Sequence, residues 1–198
     1  MQYYCRGSFF MGIEIEKKYR LDQERADELK AKLDRIGAEF RGDVFEENSL
    51  YRGGALEEKA AVLRLRQIGN TTLLTYKEPI QQDSDLKRRL EYETEVADAE
   101  AMTRIIENLG YSLSVVYEKR RKAWHFQNVE VVLDELPFGL YMEIEGDVEA
   151  IEAAERTLEI DDLVPEPLGY PGLAVKFGTL VNNVIEARFE KQTTVDGR

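Results

Sequence analysis

Imidazole and thiol are nearly absent from this 198-residue chain, which has one histidine, His125, and one cysteine, Cys5. A multi-imidazole zinc site and a triad built around a dedicated histidine are thereby set aside. His125, between Trp124 and Phe126, reads as a packing residue at a strand end. A lone cysteine cannot close an internal disulfide, which suits a reducing compartment. Long apolar runs are missing too. None reaches the ~20 residues that a membrane helix needs, and no secretory signal is visible. The expectation is a cytoplasmic protein without membrane contact, in which the Asn70-Thr71-Thr72 sequon would be idle. Basic charge is in deficit, with 27 Lys and Arg against 39 Asp and Glu and a formal net charge of -12. A general nucleic-acid binder carries a basic footprint, so nucleic acid is not an expected partner. The length suits one domain with a proper core.

What the chain does have is charge set in columns. Side chains of a strand alternate faces with period two, so Glu14, Glu16 and Lys18 share a face while Ile13, Ile15 and Tyr19 take the other. Arg64 and Arg66 flank Leu65. Thr75 and Lys77 flank Tyr76. Arg89, Glu91, Glu93 and Glu95 alternate with Leu90, Tyr92 and Thr94. Lys119 with Arg121, Asp134 after Leu133, and Glu143 with Glu145 continue the pattern. A sheet with one wet face alternates in this way, but such faces mix Thr, Ser and Gln with charge, and exposed ion pairs contribute only ~0–1 kcal/mol each. These columns are almost wholly Lys, Arg, Asp and Glu, segregated by sign. A closed sheet with its charged face inward would turn them into the lining of a cavity. The strand of Lys119 and Arg121 is less tidy, because Glu118, Arg120 and Lys122 load its opposite face.

Helices punctuate the strands. Asp22 is placed to cap a helix carrying Ala26, Leu29, Leu33 and Ile36 on one stripe, stopping at Gly37. Asp98 does the same for Met102, Ile105, Ile106 and Leu109, stopping at Gly110. A third helix starts near Asp147 with Val148, Ile151, Ala154 and Leu158. Gly69-Asn70 reads as a tight hairpin, Gln127-Asn128 separates two later strands, and Pro79 to Asp85 reads as a polar loop. The charged strand, helix and glycine from Glu14 to Phe40 are echoed from Glu91 to Leu113, a two-half pseudo-repeat. The expected fold class is α+β, a closed antiparallel β-barrel with a charged interior and helices packed outside.

Six pieces in order resemble the CYTH superfamily, the triphosphate tunnel metalloenzymes: Glu14-x-Glu16-x-Lys18, Leu63-Arg64-Leu65-Arg66 with Leu74-Thr75-Tyr76-Lys77-Glu78-Pro79, Arg89-x-Glu91-x-Glu93, Lys119-x-Arg121, Leu133-Asp134-Glu135 and Glu143-Ile144-Glu145. That group includes class IV adenylyl cyclases, thiamine triphosphatases and inorganic triphosphatases. The resemblance runs from about residue 12 to about residue 175. It implies a small-molecule triphosphate substrate held by Lys18, Arg64, Arg66, Lys77, Arg89, Lys119 and Arg121, and Mg²⁺ or Mn²⁺ held by Glu14, Glu16, Asp134, Glu143 and Glu145. Lys18, Lys77, Glu91 and Glu93 are the expected catalytic residues, with Glu91 and Glu93 also suited to orienting the basic side chains. The residue types fit: arginines grip phosphate bidentately, lysines act as point charges, and carboxylates suit a hard divalent cation.

Two enzymatic outcomes stay open, ATP cyclisation with loss of pyrophosphate and hydrolysis of a triphosphate. Leu74 to Pro79 and the Leu-Asp-Glu-Leu-Pro-Phe-Gly run from Leu133 resemble class IV cyclases, but no adenine pocket is identified. A non-catalytic triphosphate- or polyphosphate-binding module is the third reading. It could shed the metal carboxylates, and all five are present, which favours an enzyme, as monomer or homodimer. The resembling family begins close to its ExExK motif. Residues 1–10 are therefore expected to be a dispensable extension, 11–192 one CYTH-like domain, and 193–198 a disordered tail.

Overall fold

The computed structural model describes residues 9–81 and 86–190. The expected tail and most of the expected N-terminal extension lie outside the described residues. Phe9 and Phe10 lie within them and open the first strand, opposite Thr94 and Glu93.

In chain order the elements are β1 (Phe9–Leu21), α1 (Gln23–Arg35), β2 (Glu39–Arg52), α2 (Ala55–Glu58), β3 (Val62–Ile68), β4 (Thr71–Gln81), β5 (Lys87–Val96), α3 (Ala99–Asn108), β6 (Ser112–Phe126), β7 (Val129–Leu136), β8 (Gly139–Gly146), α4 (Val148–Leu158), α5 (Tyr170–Phe177), β9 (Thr179–Val181) and β10 (Val184–Ala187). The first eight strands run β2-β3-β4-β5-β1-β8-β7-β6, and β6 returns to β2 to close the barrel. Every pairing in the ring is antiparallel. β10 joins β6 in parallel along Val115–Tyr117, on the edge that β7 leaves uncovered, and β9 pairs with β10. The expected closed barrel is present, with its helices packed against it.

The pseudo-repeat is visible in the topology. β1-α1-β2-β3-β4 and β5-α3-β6-β7-β8 are two passes of one plan. Exchanging them maps the ring order onto its own reverse, with β1–β5 and β2–β6 as the self-matching pairs.

Local chemistry sets the boundaries. Asp22 and Asp98 cap α1 and α3, accepting the N–H groups of Arg25 at 2.8 Å and Ala101 at 2.9 Å; such caps contribute ~1 kcal/mol each. Gly37 and Gly110 follow these helices with φ of 75° and 92°, where a side chain would be strained. One expectation is corrected. Pro79 to Gln81, expected in a loop, belong to β4 instead, and the rest of that expected loop up to Asp85 lies outside the described residues. A register shift between Pro79 and Gln81 accommodates the proline, which has no N–H to give the ladder.

Three apolar clusters hold the helices. Leu29 and Leu33 of α1 and Ile151, Ala154 and Leu158 of α4 pack on the outward residues Trp124, Val131, Met142 and Ile144. In α3 only Ile106 is buried, against Tyr51, Leu65 and Val96. Ile105 and Leu109 of the expected stripe are exposed, so α3 touches the barrel along a narrower line than the pattern suggested. α5 differs: its Tyr170, Leu173 and Ala174 meet Leu50, Val115, Tyr117, Leu136 and Tyr141. These share strand faces with Glu46, Lys119, Asp134 and Glu143, so α5 closes one end of the barrel.

Candidate active site

The inward faces enclose a cavity of about 390 Å³ lined by basic and acidic side chains in almost equal number. Of the site residues expected from the sequence, all but Asp134 line it: Glu14, Glu16, Lys18, Arg64, Arg66, Lys77, Arg89, Glu91, Glu93, Lys119, Arg121, Glu143 and Glu145. Asp134 shares the inward face but does not line the cavity: its side chain is fully buried, where it accepts two bonds from Arg121, at 2.8 and 2.6 Å, and one from the Tyr170 hydroxyl at 2.7 Å.

Strand register places each group. β1 lies between β5 and β8, so Glu14 faces Arg89 on one side while Glu16 faces Lys87 and Glu145 on its two sides. Lys18 faces Glu143 and contacts its carboxylate at 3.1 Å. Lys77 on β4 reaches Glu14 at 2.6 Å and Glu91 at 3.3 Å. Arg64 donates to the Thr75 hydroxyl, which donates to Glu93 at 2.6 Å. Arg121 bridges Asp134 and Glu143. The untidy β6 is therefore resolved. Lys119 and Arg121 face inward, whereas Arg120 pairs outside with Glu135.

These pairings set the protonation states. Burial pushes the Glu14 carboxyl up, but the Lys77 ammonium overrides it and holds Glu14 below the usual carboxylate range. Glu91 shares the same lysine at longer range. Burial, with the Glu14 charge added, leaves it raised. For Glu143, Lys18 and Arg121 outweigh burial and hold it well below the ordinary range. Burial and neighbouring cations bring Lys119 down to about 8 and Lys87 to about 8.

Several participants carried no signal strong enough to be singled out. Glu46 on β2 is 1 % exposed and contacts Lys119 at 3.2 Å and Arg66 at 3.8 Å; Asn48 lies beside it, fully buried. Lys87 approaches Glu16 at 3.5 Å. Tyr170 arrives from α5, which the sequence reading did not contain; Pro171 in its first turn was the available clue. His125 is exposed and lines the cavity opposite Glu130, which corrects its reading as a packing residue.

The donor set suits a hard divalent cation. Glu16 and Glu145 are register partners, and the buried Glu16 Oε1 atom makes no hydrogen bond, its nearest cations being Lys87 at 3.5 Å and Arg89 at 3.9 Å, so it has capacity for a closer ligand. Mg²⁺ and Mn²⁺ take carboxylate oxygens of this kind. Among the described residues no three such ligands already converge on one point, because Glu14 and Glu143 are engaged with cations. Among the same residues, no helix is long and apolar enough to cross a membrane.

Comparison with known proteins places the chain. A family model described as the CYTH domain matches residues 12–167. The structure of the PH1012 protein of Pyrococcus horikoshii OT3 is similar at 28% identity and a TM-score of 0.69, covering 81% of this chain and 98% of that one. A candidate adenylate cyclase from Vibrio parahaemolyticus has 21% identity, a TM-score of 0.65 and coverage of 81% and 97%. HpAC1 from Hippeastrum, a candidate adenylyl cyclase described as having a dominant triphosphatase activity, has 17% identity, a TM-score of 0.62 and coverage of 89% and 100%. No curated protein matches the sequence.

Proposed function

We propose, on the premise that this chain belongs to the CYTH domain family, that it is a divalent-metal-dependent enzyme hydrolysing a triphosphate chain. The observation that carries the reading is the convergence of seven basic side chains from five strands, Lys18, Arg64, Arg66, Lys77, Arg89, Lys119 and Arg121, on one cavity of about 390 Å³. So many cations facing one cavity, with Lys18, Arg64 and Lys119 buried, need anions, and the protein supplies only carboxylates that are also suited to a metal. Binding of a metal–triphosphate complex would let each ion pair exchange partners. The basic groups would take phosphate oxygens, and Glu14, Glu16, Glu143 and Glu145 would turn toward the cation. Asp134, expected in the metal set, is better suited by its bidentate contact to hold Arg121 in place.

The metal, Mg²⁺ or Mn²⁺, would supply charge neutralisation on the phosphate oxygens. The chain's own residues do the rest. Arg64 and Arg66 on β3 and Lys119 and Arg121 on β6 grip the phosphates and hold the chain in line. Lys18 and Lys77 stabilise charge developing on the bridging oxygen as the terminal phosphorus–oxygen bond breaks. Glu91, whose carboxyl burial raises, takes the proton of the attacking water, and Glu93 keeps Thr75 and Arg64 oriented. Water adds to the terminal phosphorus, inorganic phosphate leaves, and the shortened chain departs.

Cyclisation of ATP uses the same cations but needs a place for adenine and ribose. Charged residues form the majority of the lining, its apolar side chains Val62, Ile68, Leu73 and Val132 are aliphatic, and its tyrosines, Tyr117 and Tyr170, are buried in the α5 cluster, which favours hydrolysis. The test is to incubate the purified protein with tripolyphosphate, thiamine triphosphate and ATP, each with Mg²⁺ or Mn²⁺. Phosphate release is expected. Cyclic AMP with pyrophosphate would replace this reading by the cyclase, and binding without product would replace it by a carrier module.

A further inference from the structure

We propose that Tyr170 is a positioning residue of this site, its ring holding the Lys18 and Lys119 ammonium groups in place without cancelling their charge. The inference rests on the reading of the cavity as a triphosphate site. Tyr170 lies three residues beyond the stretch matched by the family model, which ends at 167.

The Lys18 Nζ atom sits 3.6 Å from the centre of the Tyr170 ring, and the Lys119 Nζ atom 5.2 Å from it. Both side chains are almost wholly buried, at 1 % and 2 % exposure. A buried ammonium is costly unless something stabilises it. A carboxylate does so by neutralising it, which weakens its pull on an anionic ligand. An aromatic face does so through its quadrupole and leaves the net charge intact.

The carboxylates around these lysines are already divided. Glu143 serves Lys18 and Arg121, Asp134 serves Arg121 and Lys119, and Glu46 serves Lys119 and Arg66. Four cations thus share three anions, and the ring supplements the deficit. Should Glu143 turn to a metal, Lys18 would keep, among the described residues, the ring and the Leu168 carbonyl, which it meets at 3.3 Å.

The ring is itself held. Its hydroxyl donates to Asp134 at 2.7 Å; burial and the Asp134 charge keep that hydroxyl protonated. Tyr141 packs against it edge-on at 5.7 Å. The backbone just before it is fastened by the same lysine set, because the Leu168 carbonyl accepts from both Lys18 and Lys87. One short segment at the start of α5 therefore ties together side chains from β1, β5 and β6.

The test replaces Tyr170 by phenylalanine, by leucine, and by a trifluorinated phenylalanine that keeps the shape of the ring but drains its quadrupole. Affinity for inorganic tripolyphosphate is measured by calorimetry without divalent metal, alongside melting temperature and the separate effects on KM and kcat with metal. Tyr170→Phe is expected to bind within about threefold of the parent, and Tyr170→Leu about tenfold more weakly. The fluorinated ring should fall close to leucine, with the loss appearing in KM. If the fluorinated ring binds as tightly as Tyr170→Phe, or leucine as tightly as the parent, the proposal is overturned. Should Tyr170→Leu fail to fold, the two ring variants carry the comparison, since they conserve volume. A parent protein that binds no tripolyphosphate would instead overturn the reading of the cavity, and this inference with it.

Discussion

Glu46 faces Lys119 at the seam where β2 meets β6 and the barrel closes, with 3.2 Å between carboxylate and ammonium. The same carboxylate reaches Arg66 on β3 at 3.8 Å, so one acid holds cations on both neighbouring strands. Burial would raise its pKa, but Lys119 and Arg66 keep it well below the ordinary range. Glu46→Gln is expected to cost about 3–5 kcal/mol in the ligand-free protein, the usual penalty for breaking a buried pair. Tripolyphosphate should recover part of that loss by supplying the missing anion. Chemical denaturation with and without tripolyphosphate checks both statements; equal losses in the two conditions would separate Glu46 from the substrate cations.

Glu14→Gln and Glu145→Gln are expected to leave the fold intact and to reduce turnover by more than the roughly 10–100-fold typical of outer-shell changes at a metal site. Each removes a carboxylate proposed to turn toward the metal, while keeping the side chain's size. Rates measured across a metal titration, with circular dichroism as the folding control, check this. Full activity with unchanged metal dependence in both variants would remove them from the metal site.

Arg64→Ala removes a buried guanidinium held by Thr75 and Glu93. The expected loss in triphosphate affinity is about 1.5–3 kcal/mol, the range for a charged hydrogen bond. Lys18→Ala should lose a similar amount. Calorimetric titration with tripolyphosphate reads the change directly, and an unchanged affinity in either variant would take that side chain out of the binding set.

Lys119 and Lys87 are both brought down to about 8, chiefly by burial. They are charged below that pH and neutral above it. Triphosphate affinity should therefore fall as pH rises through about 8, although the ligand itself only gains negative charge over the same range. For stability the sign is opposite. Between the folded value and the ordinary lysine value of 10.5 the unfolded chain binds more protons, so stability attributable to these two groups rises with pH there and is lost as pH falls through about 8. Affinity and denaturation midpoints across this range, compared with Lys119→Met, test the assignment.

A chain beginning at Met11 loses only the pairings of Phe9 with Thr94 and Phe10 with Glu93 within the described strand. It is expected to be as active as the full chain and slightly less stable. Insolubility or lost turnover would show that the first ten residues belong to the domain.

Much of the site was legible because its strands keep strict period two with one apolar face: Glu14, Glu16 and Lys18 against Ile13, Ile15 and Tyr19, or Glu143 and Glu145 around Ile144. β2 breaks that condition. Glu46-Glu47-Asn48-Ser49 is polar on both faces, so nothing in the pattern separates the buried Glu46 from the half-buried Glu47. Tyr170 was hidden for another reason. A tyrosine beside Pro171 reads as ordinary helix-start packing, and its contact with Lys18 spans 152 positions of sequence and depends on barrel closure. His125 sits between two buried aromatic residues, and alternation alone would have turned it outward from their cluster, as the structure does.

The seam between β2 and β6 also bears on how the chain avoids folding out of register. Elsewhere a strand that slips by one residue pays at once, by exposing its apolar face. Here both faces of Glu46 to Asn48 are polar, and that safeguard is missing. In the native alignment Glu47 stands directly across from Glu118 on the outer face, a repulsive pairing that a sheet does not choose unaided. Arg188, in the segment after β10, reaches both of those carboxylates, and the Phe189 N–H donates to Glu118. Arg188 and Phe189 thus bridge the one alignment that sets two acids side by side, and a shifted alignment of the seam would pull apart the pair they hold.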